Sequence, residues 1–348
     1  SSIMMLSITG SDRLLPLFDE KENVTVLDDE NKIYFKYLIF SLFQKRSLNF
    51  KKVLFQYYLN IVKALNPKMI ITFVDNQEFY WELDKYLSKD LVFLTVQNGT
   101  HYIRANGKVP KGYRNWFLDN PPYYSNFVCF SDFDYDYFVS KGATILKHHC
   151  IGNVLISDYL ATFSKKKIIF DICVIAQSRN NDLHAKKMLN YLISYMQERN
   201  VTACVALKRP YLHNAFNDHI NDFYTVSNDS NLIVIPRREH SSQFLADSSK
   251  VSIGLVGTTV LRQVFSRGNK LYPLNFGSEE VSQPFDLFSH SLNPSYHEFR
   301  DHLDYLLNLN QDIYLSKNSN LMKYIDTVDL SSAPKEKLKR LLKKMLSL

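Results

Sequence analysis

Short apolar runs alternate with amphipathic helical segments along most of the chain, and this alternation constrains the fold more than any other feature. The run MIITFVD at 69–75 is continuously apolar and rich in β-branched residues, as in a strand covered on both faces. It follows a helical stripe at 49–65, which Asn66 and Pro67 end because proline cannot continue the hydrogen-bond ladder. Strands that alternate with helices predict βαβ units and a doubly wound α/β layer.

The alternation occurs in both halves of the chain. Further strands are predicted at 91–99, 126–132, 168–177, 202–208, 231–236, 250–257 and 269–276. A chain of 348 residues is long for one domain. We therefore predict two Rossmann-like, doubly wound α/β domains, 1–155 and 156–330, that face a central cleft, followed by a helix at 331–348.

The composition is that of a folded protein from a reducing compartment. Hydrophobic residues make up 45% of the chain and charged residues 22%, which excludes intrinsic disorder. The four cysteines contain no CxxC pair and mostly lie in apolar runs, so neither a zinc site nor a disulfide framework is predicted. The sequence shows no signal peptide and no apolar stretch of the about 18 residues that a membrane span needs. We therefore predict a cytoplasmic protein.

The segment at 250–276 is the most informative for function. A buried strand ends at Gly257, Thr258 and Thr259 open a helix, and Gly268 closes it before the next strand. Hydroxyl groups and backbone N–H groups at a helix start form an anion site that suits the phosphates of a nucleotide. The alternative is that one of the threonines is only an N-cap, which satisfies the N–H groups of the first turn.

This arrangement resembles the donor-nucleotide segment of glycosyltransferases with the two-domain GT-B fold. More narrowly, the chain resembles bacterial surface-carbohydrate (capsule and O-antigen) biosynthesis proteins. The resemblance rests on ITFVDNQEFYWELDKYL, VFLTVQNGTHY, DICVIAQSR, LIVIPRREH and VGTTVLRQVFSRGNKLYPLNF. It implies a glycosyltransferase that takes a nucleotide-sugar donor as substrate, needs no cofactor and extends a glycan or lipid-linked acceptor. Gln263 stands where many GT-B proteins carry a Glu that holds the ribose, so an unusual donor such as a CMP-activated acid sugar stays open.

Candidate catalytic residues follow the strands of the first half. Asp75 ends its strand, where a partly desolvated carboxylate can act as the general base or nucleophile of glycosyl transfer. The alternatives are that Asp75 caps the next helix and that Glu78 completes a capping box as its third residue. His101 is a second candidate for acid–base work. Asn98 and Gly99 are predicted to bind substrate, and Gly99 permits a tight turn.

Basic and polar residues follow the strands of the second half in the same way. They are expected to neutralise a phosphate or a sugar carboxylate. The residues predicted to bind substrate here are Ser178, Arg179, Lys208, Arg237, His240, Gly257, Thr258, Thr259 and Gln263. For Arg209 and Arg238 we retain the alternative, a solvated surface cation.

The last segment is predicted to be a basic amphipathic helix. Residues 335–344 carry six cations and one Glu, which suits contact with an anionic membrane surface. Such contact would place the protein peripherally at the inner face of the membrane. The alternative is that the apolar face of this helix packs on the protein core.

Several functions are excluded or less well supported. The DFDYD segment at 132–136 more readily starts a helix than binds a metal, and the HHC segment at 148–150 more readily forms a strand, so no metal is predicted. Without GxGxxG or GxxxxGK[ST], nicotinamide enzymes and P-loop enzymes have no support. A sugar-nucleotide epimerase on the same fold stays open. The net charge of +7 and the many aromatic residues leave a non-enzymatic nucleic-acid-binding protein as the last alternative. The cations are spread over the whole chain and no nucleic-acid module is recognised, so no nucleic-acid partner is predicted.

Overall fold

Two parallel sheets organise the chain, each in its own compact unit of the computed structural model. The first unit comprises Ser1–Gly99, Tyr113–Asp158 and Asp326–Leu348, and the second comprises Thr100–Gly112 and Tyr159–Ile325. The structure describes residues 2–6, 11–19, 22–27, 33–45, 49–75, 77–99, 121–154, 167–175, 183–206, 232–235, 241–256, 259–276, 284–288, 292–326 and 333–347. The chain returns to the first unit at Asp326, so the C-terminal helix belongs to that unit.

Six parallel strands form the sheet of the first unit. They are β1 (Ser2–Leu6), β2 (Asn23–Leu27), β3 (Met69–Thr72), β4 (Val92–Val96), β6 (Phe127–Cys129) and β8 (His148–Cys150). Their order is β2-β1-β3-β4-β6-β8, so the order reverses between β1 and β3. A separate parallel pair joins β5 (Tyr123–Tyr124) to β7 (Thr144–Ile145).

Helices cover both faces of this sheet. They are α1 (Ser11–Leu14), α2 (Phe35–Lys45), α3 (Phe50–Leu65), α4 (Glu78–Leu87), α5 (Asp132–Ser140) and, from the end of the chain, α11 (Pro334–Leu346). The predicted helix at 49–65 is confirmed as α3. Asn49 caps its start by accepting from the Lys52 N–H, and Asn66, with a left-handed φ of 45°, ends it before Pro67.

Five parallel strands form the sheet of the second unit. They are β9 (Phe170–Ile175), β10 (Ala203–Ala206), β11 (Leu232–Ile235), β12 (Ser249–Leu255) and β13 (Lys270–Leu274), in the order β11-β10-β9-β12-β13. The helices are α6 (Leu183–Arg199), α7 (Ser242–Asp247), α8 (Thr259–Ser266), α9 (Tyr296–Asn308) and α10 (Gln311–Asp326). This strand order is that of a Rossmann sheet, and it reverses between β9 and β12.

The C-terminal helix packs on the core of the first unit. Leu338 and Leu342 of α11 are buried in the same apolar cluster as β1, β3 and β4. Lys339 and Lys343 each lie 3.1 Å from the Asp19 carboxylate, and they lower its pKa. The apolar face of α11 is therefore occupied, as the alternative of core packing predicts. Contact of residues 335–348 with an anionic membrane stays a prediction. Among the helices that the structure describes, none is long and apolar enough to cross a membrane.

Candidate functional site

The strand orders locate a candidate site at one edge of each sheet. In open α/β sheets, ligands bind beyond the carboxyl ends of the strands, where the strand order reverses. In the first unit this point lies beyond β1 and β3, and Asp75 follows β3. In the second unit it lies beyond β9 and β12, and the predicted Ser178 and Thr258 follow these two strands in the sequence.

Asp75 is fully buried at the carboxyl edge of the first sheet. Its backbone carbonyl accepts hydrogen bonds from Trp81 Nε1 at 3.0 Å and from the Tyr124 hydroxyl at 2.6 Å. Burial and then the Asp75 carboxylate raise the pKa of Tyr124 well above its usual value. Gln77, rather than Asp75, holds the N-cap position of α4. Two buried rings thus fix the backbone at Asp75, as precise placement of a reacting group requires.

Glu78 is the first residue of α4, so the predicted capping box, which needs Glu at the third position, is wrong. A carboxylate in the first turn still interacts favourably with the helix dipole. Glu78 Oε2 also lies 3.6 Å from Lys51 Nζ at the start of α3. Lys51 is mostly exposed, so this ion pair contributes little to stability.

Gln97, which follows β4 directly, was not predicted as a site residue but organises this edge. Its Nε2 donates to Asp134 Oδ1 and to the carbonyl of Gly99, both at 2.9 Å. Its Oε1 accepts from the Phe130 N–H at 2.9 Å, and Asp134 also accepts from the Ser131 hydroxyl at 2.8 Å. The amide therefore joins the ends of β4 and β6. The sequence signal that could have identified Gln97 is a polar side chain directly after a buried strand.

Asn98 and Gly99 continue from Gln97, and both are half-buried. The φ of Gly99 lies outside the left-handed region, and a Cβ built there would meet no atom within 4 Å. The backbone at this position therefore does not require glycine. The substrate-binding roles of Asn98 and Gly99 stay predictions.

Asp84 of α4 is a buried carboxylate that sequence reasoning missed. Burial raises its pKa to about 7 from the usual 3.8, although it accepts a hydrogen bond from the Ser125 N–H at 2.9 Å. Ser125 precedes β6, so Asp84 faces away from the carboxyl ends of the strands. Its position in the inner stripe of α4, with Tyr80, Leu83 and Leu87, was the available signal. We interpret Asp84 as structural.

In the second unit, α8 packs unusually close to the sheet. Gly254 of β12 pairs in register with Ile175 of β9 at the reversal point. A Cβ at Gly254 would lie 2.8 Å from Leu261 Cδ2 of α8 and 3.2 Å from the Ile175 carbonyl oxygen. The missing side chain therefore lets α8 begin directly above the strand. Gly268, with a φ of 76°, follows this helix as predicted.

Buried polar contacts fix the orientation of α8. Arg267 binds Asp247 through two hydrogen bonds, one of them 3.1 Å from Nε to Oδ1. Asn269 Nδ2 donates to the same carboxylate at 2.7 Å. Arg262 donates to the carbonyl of Ile325. A pair that is buried and hydrogen-bonded on several sides holds its helix in one position.

Gln263 lies on α8 and is almost fully buried. Its Oε1 accepts a 2.7 Å hydrogen bond from Nε2 of Gln243 on α7. A Glu at position 263 would also accept this bond, but it would place a charge in the same buried setting. The contact with Gln243 therefore favours Gln over Glu at position 263. This is a local physical reason for the absence of the Glu that many GT-B proteins carry there.

One predicted site residue of the first half, His101, and most of those of the second half lie outside the described part of the chain. Those of the second half are Ser178, Arg179, Lys208, Arg237, His240, Gly257 and Thr258, and the surface cations Arg209 and Arg238 also lie outside it. Thr259 is the first residue of α8, but its side chain is not among those that the structure describes. Their roles stay predictions.

One group of side chains has the composition of a metal site. Asp132, His148 and Cys150 place ligand atoms within 4.8 Å of one another, and carboxylate, imidazole and thiolate are zinc ligands. Each also makes another interaction: Asp132 opens α5, the His148 ring stacks on Tyr135 with centroids 3.8 Å apart, and Cys150 Sγ lies 3.2 Å from Cys129 Sγ. These residues could hold a divalent cation. Folding brings segments 132–136 and 148–150 next to each other, although they are separate in the sequence.

Comparison with known proteins identifies the fold. No protein-family model and no curated protein matches the chain. The UDP-GlcNAc 2-epimerase of Methanocaldococcus jannaschii, in complex with UDP-GlcNAc and UDP, matches with a TM-score of 0.57 and 10% identity over 99% of this chain and 100% of that one. The UDP-GlcNAc 2-epimerase of Neisseria meningitidis, bound to UDP-GlcNAc, matches with a TM-score of 0.58 and 10% identity over 99% of both chains. The glycotransferase of kitacinnamycin matches with a TM-score of 0.56 and 10% identity, also over 99% of both chains.

These likenesses span the whole chain, but identity near 10% shows the fold alone. The predicted fold class is confirmed: two Rossmann-like α/β domains of the GT-B type.

Proposed function

We propose that this protein is an enzyme that acts on a nucleotide-activated sugar. The observation that carries the proposal is the junction between β12 and α8, which lies where the strand order of the second sheet reverses. A phosphate at this junction would meet the N–H groups and positive dipole end of α8. The structures with the same fold that are described above include two with UDP-GlcNAc bound.

Local features of the junction support nucleotide binding. Gly254 lets α8 approach the strand closely, and the buried pair of Arg267 and Asp247 fixes the helix. Thr258 and Thr259 would add hydroxyl donors to the phosphate. In this proposal the two threonines bind the diphosphate or monophosphate of the nucleotide.

Asp75 is the proposed general base. Its backbone is fixed at the reversal point of the first sheet, and its carboxylate can take a proton from a sugar hydroxyl or ring carbon. Glu78 and His101 follow strands of the same sheet and stay alternative acid–base candidates. Asn98 is proposed to bind the sugar.

For the reaction itself, epimerisation of the nucleotide sugar is the better supported candidate. Structures of the same fold from Methanocaldococcus jannaschii, Neisseria meningitidis and Rickettsia bellii are all UDP-GlcNAc 2-epimerases. Such a reaction needs a base and a bound nucleotide but no second substrate. In that case the free nucleotide sugar is both substrate and product.

Glycosyl transfer to a bacterial surface polysaccharide or lipid-linked glycan is the second candidate. One observation favours it: helix α2 exposes Phe35 and Phe43, an apolar surface that suits work on an acceptor carried by a lipid. The resemblance of the chain to capsule and O-antigen proteins supports the same reaction. A CMP-activated acid sugar is then a possible donor besides UDP-sugars.

Product analysis tests the proposal and separates the two reactions. The protein is incubated with UDP-GlcNAc, with GDP-sugars and with CMP-activated acid sugars, each with and without a lipid-linked glycan. Epimerisation yields an isomeric nucleotide sugar without acceptor, whereas transfer yields free nucleotide and a longer glycan only when acceptor is present. Absence of binding and of turnover with all three nucleotide classes would refute the proposal.

A further inference from the structure

Helix α2 carries a row of large apolar side chains on its outer side. Phe35, Ile39, Leu42 and Phe43 recur at the i, i+4, i+7, i+8 spacing of one helix face. All four are exposed, Phe35 at 68% and Phe43 at 76%. Phe40 and the preceding residues Ile33 and Tyr34 are exposed as well. We call these seven residues the α2 surface.

The inner side of α2 combines two apolar side chains, Tyr37 and Leu38, which pack on the apolar cluster of α3, with buried polar contacts. Ser41 is fully buried, and its hydroxyl accepts from Asn60 Nδ2 of α3 at 2.9 Å. The same Asn60 amide donates to Gln44 Oε1 at 3.3 Å and accepts from Gln56 Nε2 at 3.1 Å. At the start of the helix, the Tyr34 N–H donates to the hydroxyl of Tyr57.

This arrangement exposes more apolar surface than folding alone favours. A helix that packs for stability buries its large apolar side chains and exposes its polar ones. In α2 the hydroxyl and amide groups face α3, while three phenylalanines face solvent. A contiguous exposed apolar patch of this kind marks an interaction surface.

The charge around α2 indicates what it binds. Residues 31–74 contain eight of the 42 Lys and Arg residues and none of the 35 Asp and Glu residues. The rest of the chain therefore carries 34 cations against 35 acids, so the positive net charge arises from this stretch. Asp28, Asp29 and Glu30 precede the stretch and Asp75 ends it. Among its cations, Lys36 on α2 and Lys52 on α3 are exposed.

We propose that the α2 surface docks on an anionic lipid surface. Phenylalanine and leucine on one face, flanked by lysine, form the pattern of helices that lie in the plane of a membrane interface. Cations beside the apolar face are attracted by anionic headgroups. A second copy of the chain is a poorer occupant, because two such surfaces would bring like charges together. The docking does not depend on which reaction the protein catalyses.

Vesicle flotation of the full chain tests this. We compare vesicles of phosphatidylcholine alone with vesicles of phosphatidylcholine and phosphatidylglycerol at about two to one. The protein is expected to float with the anionic vesicles and to dissociate as salt is raised. The double variant Phe35→Ser/Phe43→Ser is expected to bind the anionic vesicles at least about tenfold more weakly, because it removes the two phenylalanine side chains that would insert into the lipid.

A matched control removes equally exposed apolar side chains elsewhere. Leu146 and Leu183 are 60% and 77% exposed, and Leu146→Ser/Leu183→Ser is expected to bind like the wild type. Circular dichroism and melting temperature confirm that both double variants are folded. The proposal fails if the wild type ignores anionic vesicles, or if both double variants bind them equally. It also fails if the wild type is a dimer without lipid and Phe35→Ser/Phe43→Ser makes it a monomer, because a second copy then covers the surface.

Discussion

Gln97 Nε2 donates a 2.9 Å hydrogen bond to Asp134 Oδ1, and both side chains are buried. The two residues lie 37 positions apart: Gln97 directly follows β4, and Asp134 lies in the first turn of α5, which follows the neighbouring strand β6. Through Oε1, the same amide also satisfies the N–H of Phe130. One side chain thus sets the path of two loops at the candidate ligand edge.

Gln97→Leu is predicted to destabilise the first unit. The change leaves the Phe130 N–H without its acceptor and Asp134 without one of its donors, and each such buried group costs about 1–3 kcal/mol. Urea unfolding measures the loss. Asp136→Ala, an exposed change on the same helix as Asp134, serves as the control and is expected to stay within about 0.5 kcal/mol of wild type. Equal stability of the two variants would show that the network is dispensable.

Asp84 predicts a pH dependence of stability. Its pKa is about 7 in the folded protein and near 3.8 when unfolded, so between these values the folded state holds a proton that the unfolded chain has lost. The contribution of Asp84 to the free energy of unfolding therefore falls as pH rises from about 4 to 7 and then levels off. Asp84→Asn keeps an oxygen for the Ser125 N–H and has no such proton.

Relative to wild type, Asp84→Asn should gain stability over that pH range, by up to ~4 kcal/mol. Urea unfolding at several pH values measures the difference, with the exposed Asp136→Asn as control. A constant difference between wild type and Asp84→Asn from pH 4 to 8 would contradict the assignment.

The sequence predicted the local elements well, because strands and helices of this fold have distinct periodicities. The apolar run at 69–75 contains β3, and the segment at 250–276 contains β12, α8 and β13 in the predicted succession. Helix α2 was not predicted, because its apolar residues lie on its outer side as well as its inner side and so show no helical stripe. The order of the strands depends on long-range pairing, which periodicity does not encode.

The candidate site was predictable only in part. Asp75 was found because it ends an obvious strand. Gln97 and Asp84 were missed because their importance arises from partners at distant positions, 37 and 41 residues away. The backbone at Gly99 does not use the conformational freedom of glycine, and a glycine in the sequence does not reveal its backbone angles.

Gly254→Ala is predicted to disturb the packing of α8 on the sheet. The added methyl would lie 2.8 Å from Leu261 Cδ2 and 3.2 Å from the Ile175 carbonyl oxygen, so the buried Leu261 side chain, the helix or the strand must shift, at about 1–3 kcal/mol. Thermal unfolding is the measurement. Gly99→Ala is the matched control, because its methyl meets open space and should leave the melting temperature nearly unchanged. Equal melting temperatures for the two variants would refute the close contact.

Asp75→Asn is predicted to abolish most turnover without loss of nucleotide binding. The amide keeps the size of the side chain but does not accept a proton from the sugar, so kcat should fall about 10²–10⁴-fold. Glu82→Gln, an exposed change on α4, is the control and should retain activity. If Asp75→Asn instead lowers the melting temperature and its folded fraction keeps full activity, Asp75 is structural and His101 becomes the first candidate.

The most direct test of the account is calorimetric titration of UDP, GDP and CMP into the wild type and into Thr258→Val and Thr259→Val. We predict that at least one nucleotide binds the wild type. Each variant should bind it more weakly by about 1.5–3 kcal/mol, the value of one hydrogen bond to a charged group, at an unchanged melting temperature. Undetectable binding of all three nucleotides to the wild type, or unchanged affinity in both variants, would contradict a nucleotide site at the start of α8.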